Sequence, residues 1–202
     1  EEFSRVAQNL RTTYIDYSDY YDPTTKNNLD LVQWAIEAHS SGWGYVWGTY
    51  GHVLTRSYYE AKLAQYPEGV GNYADFILAN WLGKRTADCV GLVKGYCWFD
   101  PEAQSIGYAV NGMPDIATEQ MIEWCDEKGS MDTMPEIPGL LLWMDGHVGI
   151  YIGDGYAIEA MGTRYGVVKT QVAGRGWQKW GKIPCIEYIE EAEETEPVEA
   201  VG

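Results

Sequence analysis

The fold is set by a short stretch, Ala87-Asp88-Cys89-Val90-Gly91-Leu92, which places a cysteine where a helix should begin. Asp is a favoured residue at the N-cap of a helix, so Asp88 predicts a helix that starts at Cys89. The apolar residues that follow recur at spacings of three and four, which is typical of one buried helical stripe. They are Val90, Leu92, Val93, Tyr96 and Cys97.

This position makes Cys89 a candidate nucleophile. A cysteine thiol has an ordinary pKa of about 8.5, so little of the reactive thiolate is present at neutral pH. Unpaired backbone N–H groups and the positive end of the helix dipole favour a thiolate in the first turn. The same N–H groups can bind an oxyanion. The alternative role for Cys89 is a buried core cysteine, which is common for this residue type.

A second stretch, Gly146-His147-Val148-Gly149-Ile150-Tyr151-Ile152-Gly153, predicts a strand that begins at a histidine and leads through a turn into a return strand over 156–161. If the turn is a three-residue loop, Glu159 lies opposite Gly149, on the same face as His147, and can orient its imidazole. A two-residue Asp154-Gly155 turn would shift the register by one and move Glu159 to the other face. The pattern leaves both registers open, and His147 alone could equally cap the end of a strand.

Together the two stretches resemble the paired signatures of the NlpC/p60 cysteine peptidases, and Tyr45-Val46-Trp47-Gly48 resembles the opening motif of that family. The resemblance covers residues 43–159. It implies a papain-like α+β fold, in which N-terminal helices and the nucleophile helix pack on a C-terminal antiparallel sheet. It also implies that Cys89 and His147 are catalytic and that Glu159, twelve positions after His147, is the third catalytic residue. That even spacing favours the register in which Glu159 and His147 share a face.

The resemblance further assigns substrate-binding roles to Tyr45, Trp47 and Asp88. Tyr45 either points its hydroxyl at the nucleophile or packs in the core, and Asp88 either only caps the helix or also binds a substrate ammonium. The chain departs from the family pattern in carrying a carboxylate at the third catalytic position, where His, Asn or Gln is usual. It also has Val90 after the nucleophile, where many members have serine, and a long segment between Tyr45 and Cys89 that looks inserted.

Composition excludes several classes of function. The chain has 202 residues and 46% hydrophobic content, enough for one domain with a sizeable core. Its net charge of −16 argues against nucleic acid and anionic membranes as partners. No apolar run reaches transmembrane length. The four cysteines form no CxxC pair or close Cys/His set, so we expect no metal and no cofactor. If the protein is exported, one disulfide can form among Cys97, Cys125 and Cys185.

The chain divides into an N-terminal arm over 1–28, a peptidase-like domain over 29–189 and an acidic tail or linker over 190–202. The inserted segment, 52–84, is predicted to form helices beside the cleft. A helix is expected between residues 114 and 129, followed by strands over 140–144, 147–161, 166–172 and 183–189. Helices followed by a meandering antiparallel sheet make an α+β arrangement.

The function implied by the resemblance is hydrolysis of peptidoglycan stem peptides, most often at the bond between γ-D-glutamate and the diamino acid. An amidase or cross-bridge endopeptidase on the same scaffold is the first alternative, and a non-catalytic wall-binding module is the second. No signal peptide is visible at Glu1, so the expected location, secreted or associated with the cell wall, follows from the resemblance. We expect a monomer.

Overall fold

The structure is a computed structural model that describes residues 14–190. Residues 1–13 of the predicted arm and residues 191–202 of the predicted acidic tail lie outside the described residues. The helices are α1 (Asn28–Ser40), α2 (Arg56–Gln65), α3 (Pro67–Gly71), α4 (Ala74–Asn80), α5 (Cys89–Trp98) and α6 (Thr118–Trp124). The strands are β1 (Tyr50–Val53), β2 (Arg85–Ala87), β3 (Phe99–Asp100), β4 (Ser105–Ile106), β5 (Lys128–Ser130), β6 (Leu141–Met144), β7 (His147–Gly153), β8 (Tyr156–Gly162), β9 (Gly166–Gln171) and β10 (Lys179–Gly181).

Six of the strands form one antiparallel sheet in the order β5-β10-β6-β7-β8-β9. Helices α1 and α5 pack against its central strands β7 and β8. This arrangement of helices on an antiparallel sheet confirms the predicted α+β class. The main core lies between the two layers and includes Trp34, Leu92, Tyr96, Val148 and Ile150.

Helix α5 is buried along its whole length, and two of its residues have to be glycine. A Cβ at Gly91 would lie 1.9 Å from the carbonyl oxygen of Thr49, and one at Gly95 would lie 2.2 Å from that of Tyr50. The helix therefore lies directly on the backbone that enters β1. This close contact fixes the start of α5, where Cys89 stands.

The β7–β8 hairpin combines features of both registers that the sequence left open. Gly153 pairs with Tyr156 across a two-residue turn, and both turn residues have the positive φ that such a turn requires, +53° at Asp154 and +79° at Gly155. An irregularity between the Tyr151 and Gly153 pairs then restores the other alignment, so that Ile150 pairs with Ile158. Glu159 consequently faces Gly149, on the side of the hairpin that carries His147.

Two element predictions are wrong. No strand covers 183–189; the strand in this part of the sheet is β10, over Lys179–Gly181. Pro184 has no N–H to donate to a ladder, and the N–H of Ile183 bonds to the Tyr188 hydroxyl instead. The helix expected between 114 and 129 is also shorter, because the chain becomes extended at Cys125, where ψ is 126°.

The segment 52–84 contains α2, α3 and α4, which pack around a second small core. This core is formed by Leu54, Tyr59, Val70 and Ile77 of the segment together with Val46 of the motif 45–48. Its aromatic side chains touch the rest of the molecule at glycines. Tyr66 occupies the space beside Gly48, and Trp81 occupies the space beside Gly44. Across residues 14–190, none of the helices has both the length and the apolar character that crossing a membrane requires.

Candidate active site

Cys89 is the first residue of α5 and is almost fully buried, with 9% of its surface exposed. Asp88 caps the helix, as the sequence predicts: its Oδ1 accepts a hydrogen bond from the N–H of Gly91 at 2.7 Å. Its Oδ2 accepts one from the N–H of Gly48 at 2.8 Å. Both carboxylate oxygens are therefore engaged by the backbone. Asp88 joins the motif around Gly48 to the start of α5.

The environment of the Cys89 thiol differs from the sequence expectation. Burial raises the pKa of Cys89 to about 12, and the negative charge of Asp88 acts in the same direction. The backbone N–H groups of Val148, Val90 and Cys89 itself lower that pKa, but they do not outweigh burial. The start of the helix alone thus does not bring the pKa of this thiol below its ordinary value.

His147, the first residue of β7, lies in the same cleft as Cys89. Its Nε2 lies 2.6 Å from Oε2 of Glu159, so this contact uses Nε2 and leaves Nδ1 for another partner. The indole of Trp177 stacks on the imidazole, with ring centroids 5.5 Å apart and planes 14° from parallel. The neighbouring Gly149 makes room for that indole, since a Cβ there would lie 2.8 Å from it. The imidazole is thus fixed by a carboxylate at its edge and a ring on its face.

Glu159 is fully buried, and its charge is compensated by three side chains. Arg175 donates from Nε to Oε1 at 2.8 Å and from Nη2 to Oε2 at 2.7 Å. The Thr170 hydroxyl donates to Oε1 at 2.8 Å. Burial alone would raise the pKa of Glu159, but the hydrogen bonds from His147, Arg175 and Thr170 outweigh it and lower that pKa to about 2. Glu159 is therefore an anion held between an imidazole and a guanidinium.

Sequence reasoning missed Arg175, Thr170 and Trp177. Arg175 and Trp177 lie between β9 and β10, where no periodic pattern points toward the site. One signal was available: a buried carboxylate next to a histidine requires a compensating cation. With 14 lysines and arginines in the chain, that requirement does not identify which one.

A cleft of about 890 Å³ lies over Cys89 and His147. The predicted binding residues Tyr45, Trp47 and Asp88 all line it, while Glu159 lies behind the imidazole. Tyr45 is largely buried, and burial raises its pKa. Trp47 is half exposed, with 51% of its surface accessible. The structure thus brings all six predicted site residues to one place.

The site brings a thiol and an imidazole to one cleft, with a carboxylate hydrogen-bonded to that imidazole. Covalent amide hydrolysis by a cysteine uses these three chemical groups. In the part of the chain that the structure describes, no three His, Cys, Asp or Glu side chains come together as a metal-binding group.

The sequence matches no protein-family model and no curated protein. Among solved structures, the chain is similar to the peptidoglycan hydrolase RipB from Mycobacterium tuberculosis, at 20% identity and a TM-score of 0.44, over 78% of this chain and 66% of that one. It is similar to the NlpC/p60 domain of the peptidoglycan hydrolase SagA at 18% identity and a TM-score of 0.43, over 80% of this chain and 99% of the domain. A p60 domain of an antigen from M. avium subspecies paratuberculosis is similar at 20% identity and a TM-score of 0.43, over 78% and 96%.

Proposed function

We propose that this chain is a cysteine peptidase of the NlpC/p60 type that hydrolyses amide bonds in peptidoglycan stem peptides, with the γ-D-glutamyl–diamino acid bond as its main target. The observation that carries the proposal is the convergence of Cys89 and the His147–Glu159 pair in one open cleft. The substrate class comes from the three sequence motifs and their order.

In the proposed mechanism, Nδ1 of His147 takes the proton from the Cys89 thiol as the sulfur attacks the amide carbonyl carbon. The carbonyl oxygen becomes an oxyanion and is stabilised by the backbone N–H of Cys89, in the first turn of α5. As the C–N bond breaks, His147 gives the proton to the departing amine, leaving an acyl group on the sulfur. Water, deprotonated by His147, then attacks the thioester and releases the carboxylic acid and the thiol.

The buried position of Cys89 gives His147 a specific task in this scheme. A thiol with its pKa raised to about 12 keeps its proton in the resting enzyme. Proton transfer to His147 therefore accompanies the attack on substrate, with Glu159 stabilising the imidazolium that forms. The guanidinium of Arg175 shares the charge of Glu159 and so limits how strongly the carboxylate holds that imidazolium.

We further propose that residues 29–189 form the peptidase domain, with 52–84 as an insertion beside the cleft, and that the protein acts as a monomer, secreted or associated with the cell wall. The proposed chemistry needs no cofactor and no metal.

Digestion of purified muropeptides by the parent protein and by Cys89→Ala, followed by mass spectrometry, tests the function. We expect products that end in free γ-D-glutamate from the parent protein and no products from the variant. Products of cleavage at the sugar–peptide bond or within a cross-bridge would replace the proposed bond with the amidase or cross-bridge alternative. Binding of muropeptides without cleavage by either protein would favour the wall-binding module.

A further inference from the structure

The cleft contains a cation whose charge no carboxylate neutralises directly. Lys62 lies on α2, in the segment 52–84, and lines the cleft together with Cys89 and His147. Its Nζ donates one hydrogen bond, to Oε1 of Gln65 at 3.1 Å. An ammonium group has three N–H donors, so two are left for the cleft.

The carboxylates around the cleft are already committed to other partners. Asp115 binds Nζ of Lys94 with Oδ1 and the Tyr108 hydroxyl with Oδ2, both at 2.6 Å. Asp88 uses its two oxygens on the backbone, as described above. Glu119 accepts from the Gly146 N–H and from the Thr118 hydroxyl. Across residues 14–190, Lys62 forms no ion pair within 4.0 Å, whereas Lys94 and Arg175 each form one.

Two aromatic contacts place the Lys62 ammonium near the start of α5. Its ammonium lies 5.4 Å from the ring centre of Tyr58 and 5.8 Å from that of Tyr66. Tyr66 fills the space beside Gly48, and the N–H of Gly48 binds Asp88, the residue before Cys89. One ring and one loop therefore connect the cation to the start of α5. This places the ammonium at the same end of the cleft as the motif 45–48.

The surroundings favour an anionic ligand for this ammonium. Partial burial lowers the pKa of Lys62, while Asp88 and Asp115 act in the opposite direction. A partly desolvated ammonium gains more from a new carboxylate partner than a fully solvated one does. The protein as a whole carries a charge of −16, which repels anions at long range. Recognition of an anion in the cleft therefore depends on a local cation.

We propose that Lys62 forms a subsite for a carboxylate of the peptide substrate, on the side of the scissile bond that faces the segment 52–84. This inference rests on the proposed function, since stem peptides carry free carboxylates next to the bonds that would be cut. It gives the inserted segment a role: the segment supplies the charge that distinguishes a peptide acid from the corresponding amide.

The test compares acid and amide peptides bound to the inactive Cys89→Ala protein by isothermal titration calorimetry. The probes are the stem tetrapeptide L-alanyl-γ-D-glutamyl-diaminopimelyl-D-alanine and two forms amidated at the glutamate α-carboxyl or at the side-chain carboxyl of diaminopimelate. We expect one amidation to weaken binding about 5- to 10-fold, because it removes a charge-assisted hydrogen bond. Adding Lys62→Met should reduce that ratio to below about 2-fold, and Lys62→Arg should restore it.

Lys84→Met is the matched control, because Lys84 is exposed, lies over the Trp81 ring and is not among the residues that line the cleft. It should leave the acid-to-amide ratio unchanged, and circular dichroism checks that each variant folds. An acid-to-amide affinity ratio that is equal in Cys89→Ala with and without Lys62→Met would overturn the subsite alone. Failure of every peptide to bind would overturn the subsite together with the peptidoglycan assignment. If the peptides bind but the parent protein, which keeps Cys89, does not cleave them, only the peptidase function would be overturned.

Discussion

Replacing Arg175 with methionine removes the guanidinium that shares Glu159 with the imidazole of His147. Nη2 of Arg175 and Nε2 of His147 both lie on Oε2 of Glu159, at 2.7 and 2.6 Å. The two nitrogens are therefore at most about 5 Å apart, the sum of these distances. Two unit charges at that separation repel by about 3 kcal/mol at an effective dielectric constant of about 20, and by about 1 kcal/mol in bulk water.

The site lies between these limits, because the Arg175 side chain is 28% exposed and that of His147 is 15% exposed. We take about 1.5 to 2 kcal/mol, which corresponds to slightly more than one pH unit. Removing a positive charge beside the site makes the Cys89 thiol harder to ionise. The acid limb of Cys89 alkylation, measured with iodoacetamide as a function of pH, should therefore move to higher pH by about one unit in Arg175→Met.

Three comparisons make this result specific to the charge of Arg175. Arg175→Lys keeps a cation and should return the acid limb close to that of the parent. Arg164→Met removes an exposed arginine that lies over Tyr73 and Phe76 and should have no effect. Arg175→Met should also lower the free energy of unfolding by about 2 to 4 kcal/mol, because it leaves a buried carboxylate without its main partner. An acid limb that stays in place or moves to lower pH would refute this account of the site.

Three further predictions concern packing, thiols and acid stability. Gly91→Ala should lower the free energy of unfolding, measured by urea denaturation, by more than about 2 kcal/mol, because the new Cβ meets the Thr49 carbonyl. On a solvent-exposed face of a helix, the same change would stabilise the fold by about 1 kcal/mol. Cys97 and Cys185 lie with their sulfurs 3.7 Å apart, so oxidation with diamide should join them in a disulfide. The intact mass should fall by two hydrogens, and the free energy of unfolding should rise by about 4 to 5 kcal/mol. Cys185→Ser should abolish both changes, and diamide-treated protein that keeps four free thiols would contradict this prediction. The Glu159 pKa of about 2 lies below its ordinary value of 4.5, so Glu159 stabilises the fold above about pH 4.5 and loses that effect as the pH falls toward 2. Between pH 5 and pH 2, the free energy of unfolding of the parent protein should therefore fall by about 3 kcal/mol more than that of Glu159→Gln. Parallel curves of stability against pH would contradict the ion pairs assigned to Glu159.

Local signals in the sequence were sufficient for the nucleophile helix. Asp88 as the N-cap and the apolar spacing after Cys89 both act within about ten residues, and the structure agrees with them. The face occupied by Glu159 depended on an irregularity near Ile152, and alternation alone does not reveal an extra residue in one strand. For the same reason, alternation left both turn alternatives open, and only the spacing of twelve residues implied by the resemblance favoured the register in which Glu159 and His147 share a face.

The parts of the site that the sequence did not reveal depend on contacts between distant segments. Arg175 meets Glu159 only because β9 returns the chain along β8, and Trp177 meets His147 only because Gly149 leaves space for its indole. The pKa of the Cys89 thiol could not be predicted from the sequence either. The first turn of a helix is visible in the sequence, whereas the burial that raises the pKa of Cys89 arises from the packing of α5 against β7 and β1.

The central claim is that Cys89 is a nucleophile activated by His147, and thiol alkylation under native conditions tests it most directly. With limiting iodoacetamide near neutral pH, peptide mapping should find Cys89 modified well before Cys97, Cys125 and Cys185. His147→Ala should abolish that preference, because a buried thiol with a pKa of about 12 then has no base. Modification of Cys89 at the same rate in the parent and in His147→Ala, or no faster than that of Cys125, would contradict the claim.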